Sequence, residues 1–106
     1  CPFCEQENES RAFVCRVCNT MLTLSDLEML LAHTEANRGI VQAAVEELEA
    51  EQNGRELECE ELVNLGIGHI NLKNLRSGLT ALQKAARLNP NNVVLESQVN
   101  ALAVGP

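Results

Sequence analysis

Leu62-Val63-Asn64-Leu65-Gly66-Ile67-Gly68-His69-Ile70, then Gly78-Leu79-Thr80-Ala81-Leu82 and Ala85, closed by Asn89-Pro90-Asn91-Asn92, is the stretch of this 106-residue sequence that decides its fold. Leu62, Leu65, Gly66 and His69 recur at i, i+3, i+4 and i+7, the spacing that lines up side chains on one face of a helix. Gly78, Leu82 and Ala85 continue the period beyond a short turn, so large and small positions alternate as two packed helices require. The pattern predicts one helix over about residues 56–72 and another over about 77–88, with Pro90 in a run of Asn as a firm stop. Val63, Ile67 and Ile70 form a second apolar stripe, rotated by about 100° from the first. A helix that is apolar on two sides must be covered on both. Either the preceding helices bury the second stripe, or it lines a groove for a protein ligand.

Upstream, Ser25-Asp26-Leu27-Glu28 reads as a capping box and opens a helix carrying Leu27, Leu30, Leu31 and Thr34 to about Asn37. Val41, Ala44, Val45 and Leu48 carry another to Gln52, where Asn53-Gly54 ends it. Asn37-Arg38-Gly39 offers a turn between the two, giving a helical hairpin. The alternative is one long helix through Gly39, at a cost of about 1 kcal/mol relative to Ala. A short helix over about residues 93–104 completes the series, and strand patterning is confined to the cysteine region. The fold class is mainly α, with a small cysteine ribbon ahead of antiparallel helical hairpins.

Composition agrees. Hydrophobic residues make up 45% of the chain, yet Phe3 and Phe13 are its only aromatics, so the large rigid anchors that line cofactor clefts or stack on bases are almost missing. The net charge of -7 repels phosphate backbones and argues against nucleic acid as a partner. Eight of the Glu fall between Glu46 and Glu61, an acidic belt that reads as a solvated face or a dock for a basic partner. No stretch approaches the roughly 20 apolar residues of a membrane helix, so direct membrane insertion is not expected. Starting at Cys1 and ending in Gly105-Pro106, the sequence reads as a piece cut from a longer chain.

Cys1-Pro2-Phe3-Cys4 and Cys15-Arg16-Val17-Cys18 are two Cys-x-x-Cys turns separated by ten residues. That spacing brings Cys1, Cys4, Cys15 and Cys18 to one tetrahedral centre and points to a single structural Zn2+, each sulfur at about 2.3 Å. Four thiolates leave no position for a reactive water, so metal hydrolysis is not expected of the site. Paired cysteines of this kind indicate a reducing, cytoplasmic compartment. A redox dithiol normally stands beside a βαβ unit, and none is patterned here.

The segment over residues 1–22 closely resembles the short zinc ribbons of the double-zinc-ribbon type. Cys1-Pro2-x-Cys4, Asn8, Ala12-Phe13, Cys15-x-x-Cys18 and Asn19-Thr20-Met21-Leu22 stand where that family has them. Glu5 and Asn19 replace the Gly that usually follows each pair. Asn tolerates a left-handed backbone better than Glu does, so the first turn is expected to differ. Phe3 and Phe13 are expected to cover the metal.

The helical stretch resembles a tetratricopeptide repeat, whose signature spans 34 residues. Cys59 to Asn92 has that length. Leu62, Leu65, Gly66, His69, Gly78, Leu82, Ala85 and Pro90 occupy the signature sites, with His69 for the usual Tyr, Leu82 for Phe and Gly78 for Ala. Residues 25–58 fit as a degenerate repeat. The resemblances imply a ribbon over 1–22 and a helical domain over 23–106, divided into a degenerate hairpin (23–58), a clear repeat (59–92) and a capping helix (93–106). Basic residues that clamp a peptide carboxylate in some family members are not evident.

The function expected is a non-enzymatic adaptor that binds protein through Val63, Ile67 and Ile70, with a second copy of the chain among the candidate partners. The alternatives are a zinc- or thiol-responsive regulator and, disfavoured by charge, a nucleic-acid-binding ribbon. His33 and His69 have no Ser, Asp or Cys at a catalytic spacing and read as structural. Cys59, about forty residues from the ribbon and at the start of a helix, reads as a small buried residue. Metal analysis of purified protein should give one zinc per chain. Cys15→Ser should lose it and Cys59→Ala should keep it; the reverse pattern would overturn the ligand assignment.

Overall fold

The computed structural model describes residues 3–4, 14–15, 17–22, 24 and 27–104. Five helices follow in order: α1 Leu27–Ala32, α2 Arg38–Gln52, α3 Cys59–Asn71, α4 Leu75–Leu88 and α5 Val93–Val104. Among the described residues the only β pairing is an isolated antiparallel bridge between Val14 and Met21. The chain is mainly helical, and the last helix takes the range its periodicity predicts. The proposed capping box at Ser25-Asp26 lies outside the described residues.

α1 and α2 are separate helices, not one. α1 stops at Ala32, short of Asn37, and Asn37 is instead the N-cap of α2, its Oδ1 accepting from Ile40 N at 3.2 Å. Gly39 therefore sits inside the first turn of α2 and makes no turn of its own. The break is held by polar contacts that local patterning does not contain: Asn37 N donates to Cys18 O at 2.7 Å, and Lys73 Nζ donates to Leu31 O at 2.8 Å and to His33 O. α3 begins at Cys59 instead of Glu56. Glu58 and Glu61 form a capping box there, with Glu58 N donating to Glu61 Oε1 at 3.0 Å. Arg55 grips the same carboxylate through two bonds of 2.9 and 2.6 Å. The Arg55 bonds, with help from the Glu58 amide, lower the Glu61 carboxyl to about 2.

α3 is the central element, with eight of its residues buried from Leu62 to Asn71. α4 runs antiparallel to it: Cys59 Sγ donates to Ala85 O at 3.3 Å near one end, while Ile70 meets Gly78 near the other. The two helices touch through glycine. A Cβ on Gly78 would lie 2.9 Å from the Gly66 carbonyl oxygen and 2.7 Å from Ile70 Cγ1, and one on Gly66 would lie 2.5 Å from Leu82 Cγ. On the other side of α3, a Cβ on Gly68 would lie 2.7 Å from Val45 Cγ2 of α2 and 2.9 Å from the Phe3 ring. Phe3 thus lies on α3, in a core it shares with Met21, Leu24, Leu30, Val41 and Val45; Phe13 lies outside the described residues.

α2 contributes Val41 and Val45 at i, i+4, and its start is tied to the far end of α3 by Arg38 Nη2, which donates to Leu72 O at 3.2 Å. A guanidinium at a helix C-terminus is also favoured by the helix dipole. α3 ends in a Schellman motif: Asn74 N donates to His69 O and Lys73 N to Ile70 O, with Lys73 at φ 69° where Gly is usual. That left-handed residue is the one whose ammonium reaches the end of α1. α5 packs on α4 and buries Leu95, Val99 and Leu102 at i, i+4, i+7.

The contact between α3 and α4 yields a paired prediction. Gly78→Ala gains helix propensity but forces a methyl onto a backbone carbonyl, so it should lower unfolding free energy by about 1–3 kcal/mol. Gly39→Ala meets nothing closer than Asn37 Oδ1 at 3.5 Å and should raise it by about 0.4–1 kcal/mol. Urea midpoints at unchanged slope measure both.

Candidate metal centre

The second cysteine pair sits in a tight hairpin. Cys15 N donates to Thr20 O at 3.0 Å, Asn19 N to Cys15 O at 2.9 Å, and Val17 N to Cys15 Sγ at 3.4 Å. Asn19 closes the turn at φ 58°, the left-handed backbone that Asn tolerates. The result is a knuckle in which backbone amides aim at sulfur. Cys4 joins it from the first pair, with Cys4 Sγ 3.5 Å from Cys15 Sγ. The sulfurs of Cys4, Cys15 and Cys18 all lie within 4.8 Å of one another, and the latter two residues are buried. Cys1 lies outside the described residues.

Three converging thiols can hold a metal ion, and their chemistry suits a soft or borderline cation. Burial pushes the Cys18 thiol up, against hydrogen bonding from Thr20, whose Oγ1 lies 3.0 Å from Cys18 Sγ. A buried thiol kept neutral in this way becomes a thiolate when a cation takes the proton's place. Cys59 stands apart from this cluster, half-buried with its thiol on Ala85 O.

The knuckle is bolted to three helices. His33, just past α1, donates from Nε2 to Asn19 O; Asn37, the cap of α2, donates to Cys18 O. The third attachment is the most buried. Because Cys15 N bonds Thr20 O, Val14 and Met21 pair in the non-hydrogen-bonded register, which leaves the Met21 amide and carbonyl pointing off the hairpin's edge. Asn71 of α3 meets both: its Oδ1 accepts from Met21 N at 3.0 Å, and its Nδ2 donates to Met21 O at 3.1 Å and to Ile67 O at 2.9 Å. The side-chain amide acts as one peptide of an adjoining strand. Periodicity alone passes over Asn71, although a signal exists: a polar residue four positions after Ile67, where the stripe of Val63, Ile67 and Ile70 would continue at the end of α3.

Of the residues expected to bind protein, Ile67 and Ile70 are 3% and 1% exposed, covered by the chain's own side chains, and Val63 is half-buried. Val63 and Ile67 line an open groove of about 500 Å³ together with Leu22 and Leu24, directly after the knuckle, Val94 and Leu95 of α5, and the polar Glu60, Asn89, Asn92 and Gln98. No protein-family model, curated protein or solved structure matches this chain. No helix among the described residues is long and apolar enough to cross a membrane.

His69 lies on the opposite side of α3. It is 8% exposed, its Nδ1 has no hydrogen-bond partner, and its Nε2 is 3.8 Å from Glu49 Oε2. Burial lowers its pKa from 6.5, and Glu49 only partly opposes this. The unfolded chain therefore binds a proton at higher pH than the folded one does. Stability from this residue is complete above about pH 6.5 and is lost as pH falls below that. Thermal midpoints should drop between pH 7.5 and 5.5, and His69→Leu should shrink the drop. An identical pH profile in the variant would remove His69 as the cause.

Proposed function

We propose that the chain is a non-enzymatic protein-binding module in which a structural Zn2+ held by Cys1, Cys4, Cys15 and Cys18 clamps a ribbon onto a tetratricopeptide-like helical scaffold. The observation that carries this reading is the groove at Val63 and Ile67. Six apolar side chains, Leu22, Leu24, Val63, Ile67, Val94 and Leu95, line it beside the polar Glu60, Asn89, Asn92 and Gln98, the mixture of anchor sites and polar groups that a helix-in-groove partner uses. An apolar-faced helical segment of a partner protein suits it, with anchor side chains seated against those apolar residues.

The geometry that supports the tetratricopeptide-like scaffold is the α3–α4 hairpin, whose small signature sites, Gly66 and Gly78, are the points of closest approach. The metal would be held by thiolates alone, so its contribution is folding free energy and not a reaction centre.

The test uses Val63→Glu, which places a charge in the groove at a half-buried position. Proteins captured by the wild-type chain are identified, and the apolar-faced segment of the captured protein is then titrated as a synthetic peptide. Val63→Glu should remain helical by circular dichroism and bind that peptide at least about tenfold more weakly, or about 1.4 kcal/mol. Equal binding by both chains would overturn the groove. Salt-steep binding of a single-stranded oligonucleotide in place of any peptide would turn the reading to nucleic acid.

A further inference from the structure

The metal cluster and the groove share one short segment. Cys18, Thr20 and Met21 belong to the knuckle, while Leu22 and Leu24 line the groove. The polar group that fixes this segment to the helix carrying Val63 and Ile67 is Asn71, buried at 2% exposure and using its acceptor and both donor hydrogens. Its third bond, to Ile67 O, locks the amide to the backbone of a groove residue.

We propose that Asn71 is the positioning residue through which metal occupancy of the cysteine cluster sets the shape of the groove, an inference that rests on the metal and groove readings above. With the knuckle closed around an ion, Met21 is presented to Asn71 in strand geometry, and Leu22 and Leu24 follow it against Val63 and Ile67. The knuckle has little core beyond the Met21 and Leu24 that it lends to the helices, so the ion supplies a share of its order alongside those contacts. When the ion leaves, Met21 is held less firmly at the Asn71 amide, the tertiary anchor of the C-terminal turns of α3 weakens, and so does the seating of Leu22 and Leu24 in the groove. Coupling of this kind is reciprocal: whatever steadies Met21 on α3 tightens the metal site, and whatever frees it weakens the site. Coupling between two sites typically amounts to about 5–150-fold in affinity, the scale to expect for Asn71, which bonds Met21 and no ligand.

Three measurements on the full chain decide it. Hydrogen exchange of the wild type, zinc-loaded against chelated, should accelerate on chelation at residues 18–24 and also at 67–72, while 79–88 changes little. The chain has no Trp, so Leu22→Trp is a unique reporter, and its emission should move to longer wavelength on chelation. Zinc affinity, read by competition with a chromophoric chelator, should fall by about tenfold or more in Asn71→Ala. It should stay within about twofold in Gly78→Ala, which loosens α3 against α4 without touching Met21. Acceleration confined to 18–24, an unmoved emission maximum in the Leu22→Trp chain, or equal zinc loss in Asn71→Ala and Gly78→Ala overturns the coupling and leaves the metal reading standing. A wild-type chain that takes no zinc overturns the metal reading and the coupling with it. If Asn71→Ala does not fold, the exchange and emission measurements decide alone.

Discussion

The approach of three neighbours to the α3 backbone is the constraint on which the rest of this structure depends. Gly66 and Gly68 lie two residues apart and so face different sides of the helix. One admits Leu82 and the Gly78 backbone of α4, and the other admits Val45 of α2 and the ring of Phe3. Dispersion and burial fall off steeply with separation, so a methyl at any of these points would separate the helices and forfeit contacts along their length. The absence of Tyr and Trp belongs to the same design. With glycine at the points of closest approach, medium-sized Leu, Ile and Val fill most of the core, and the one aromatic ring described there, Phe3, is admitted by Gly68.

Close packing positions the helices, but polar groups set where the cysteine segment rests on them. Met21 offers a free amide and carbonyl because of the register of its hairpin, and such groups are costly when buried without partners, about 1–3 kcal/mol each. Asn71 supplies both partners from a position where the helical period would otherwise place an apolar side chain. Around it, Lys73, Arg38, Asn37 and His33 meet the carbonyls that helix ends and the knuckle leave unsatisfied. The end of α3 is thus a junction where α1, α2 and the cysteine hairpin are all attached. The cluster of Cys4, Cys15 and Cys18 lies within a few residues of that junction. This arrangement makes the cysteine segment a part of the helical core, through Phe3, Met21 and Leu24, rather than an appendage beside it.

The charge distribution follows the same division of labour. The acids of α2 are exposed, with Glu46 accepting from Gln42, Glu49 beside His69 and Glu51 beside Arg55, while Glu61 in the first turn of α3 is fixed by Arg55 and the Glu58 amide. A surface pair of this kind contributes little energy by itself. Its value is geometric, because it sets the first turn of α3 at Cys59 and so fixes the phase with which Gly66, Gly68 and Asn71 arrive at their contacts.

The sequence by itself determined the helical class, the range of the last helix, and the convergence of Cys4, Cys15 and Cys18, three of the four cysteines read as one centre, with Cys1 outside the described residues. These features are legible because each is written in a local period or a short spacing: 3.6 residues per turn, two cysteines per knuckle, Pro90 between Asn89 and Asn91-Asn92. Tertiary structure alone decided where α1 stops, since Lys73 and Cys18 impose that end from distant parts of the chain. It also decided which of Val63, Ile67 and Ile70 remain accessible. Covering a stripe depends on which segments cross it, here Leu22, Leu24 and α5 beside Val63 and Ile67 and α4 at Ile70, and periodicity carries no information about those crossings. Asn71 is the sharpest case. Its identity is visible in the sequence as a polar residue where an apolar stripe would continue, but its purpose is set by the register of a hairpin fifty residues away, and register appears only when the chain has folded.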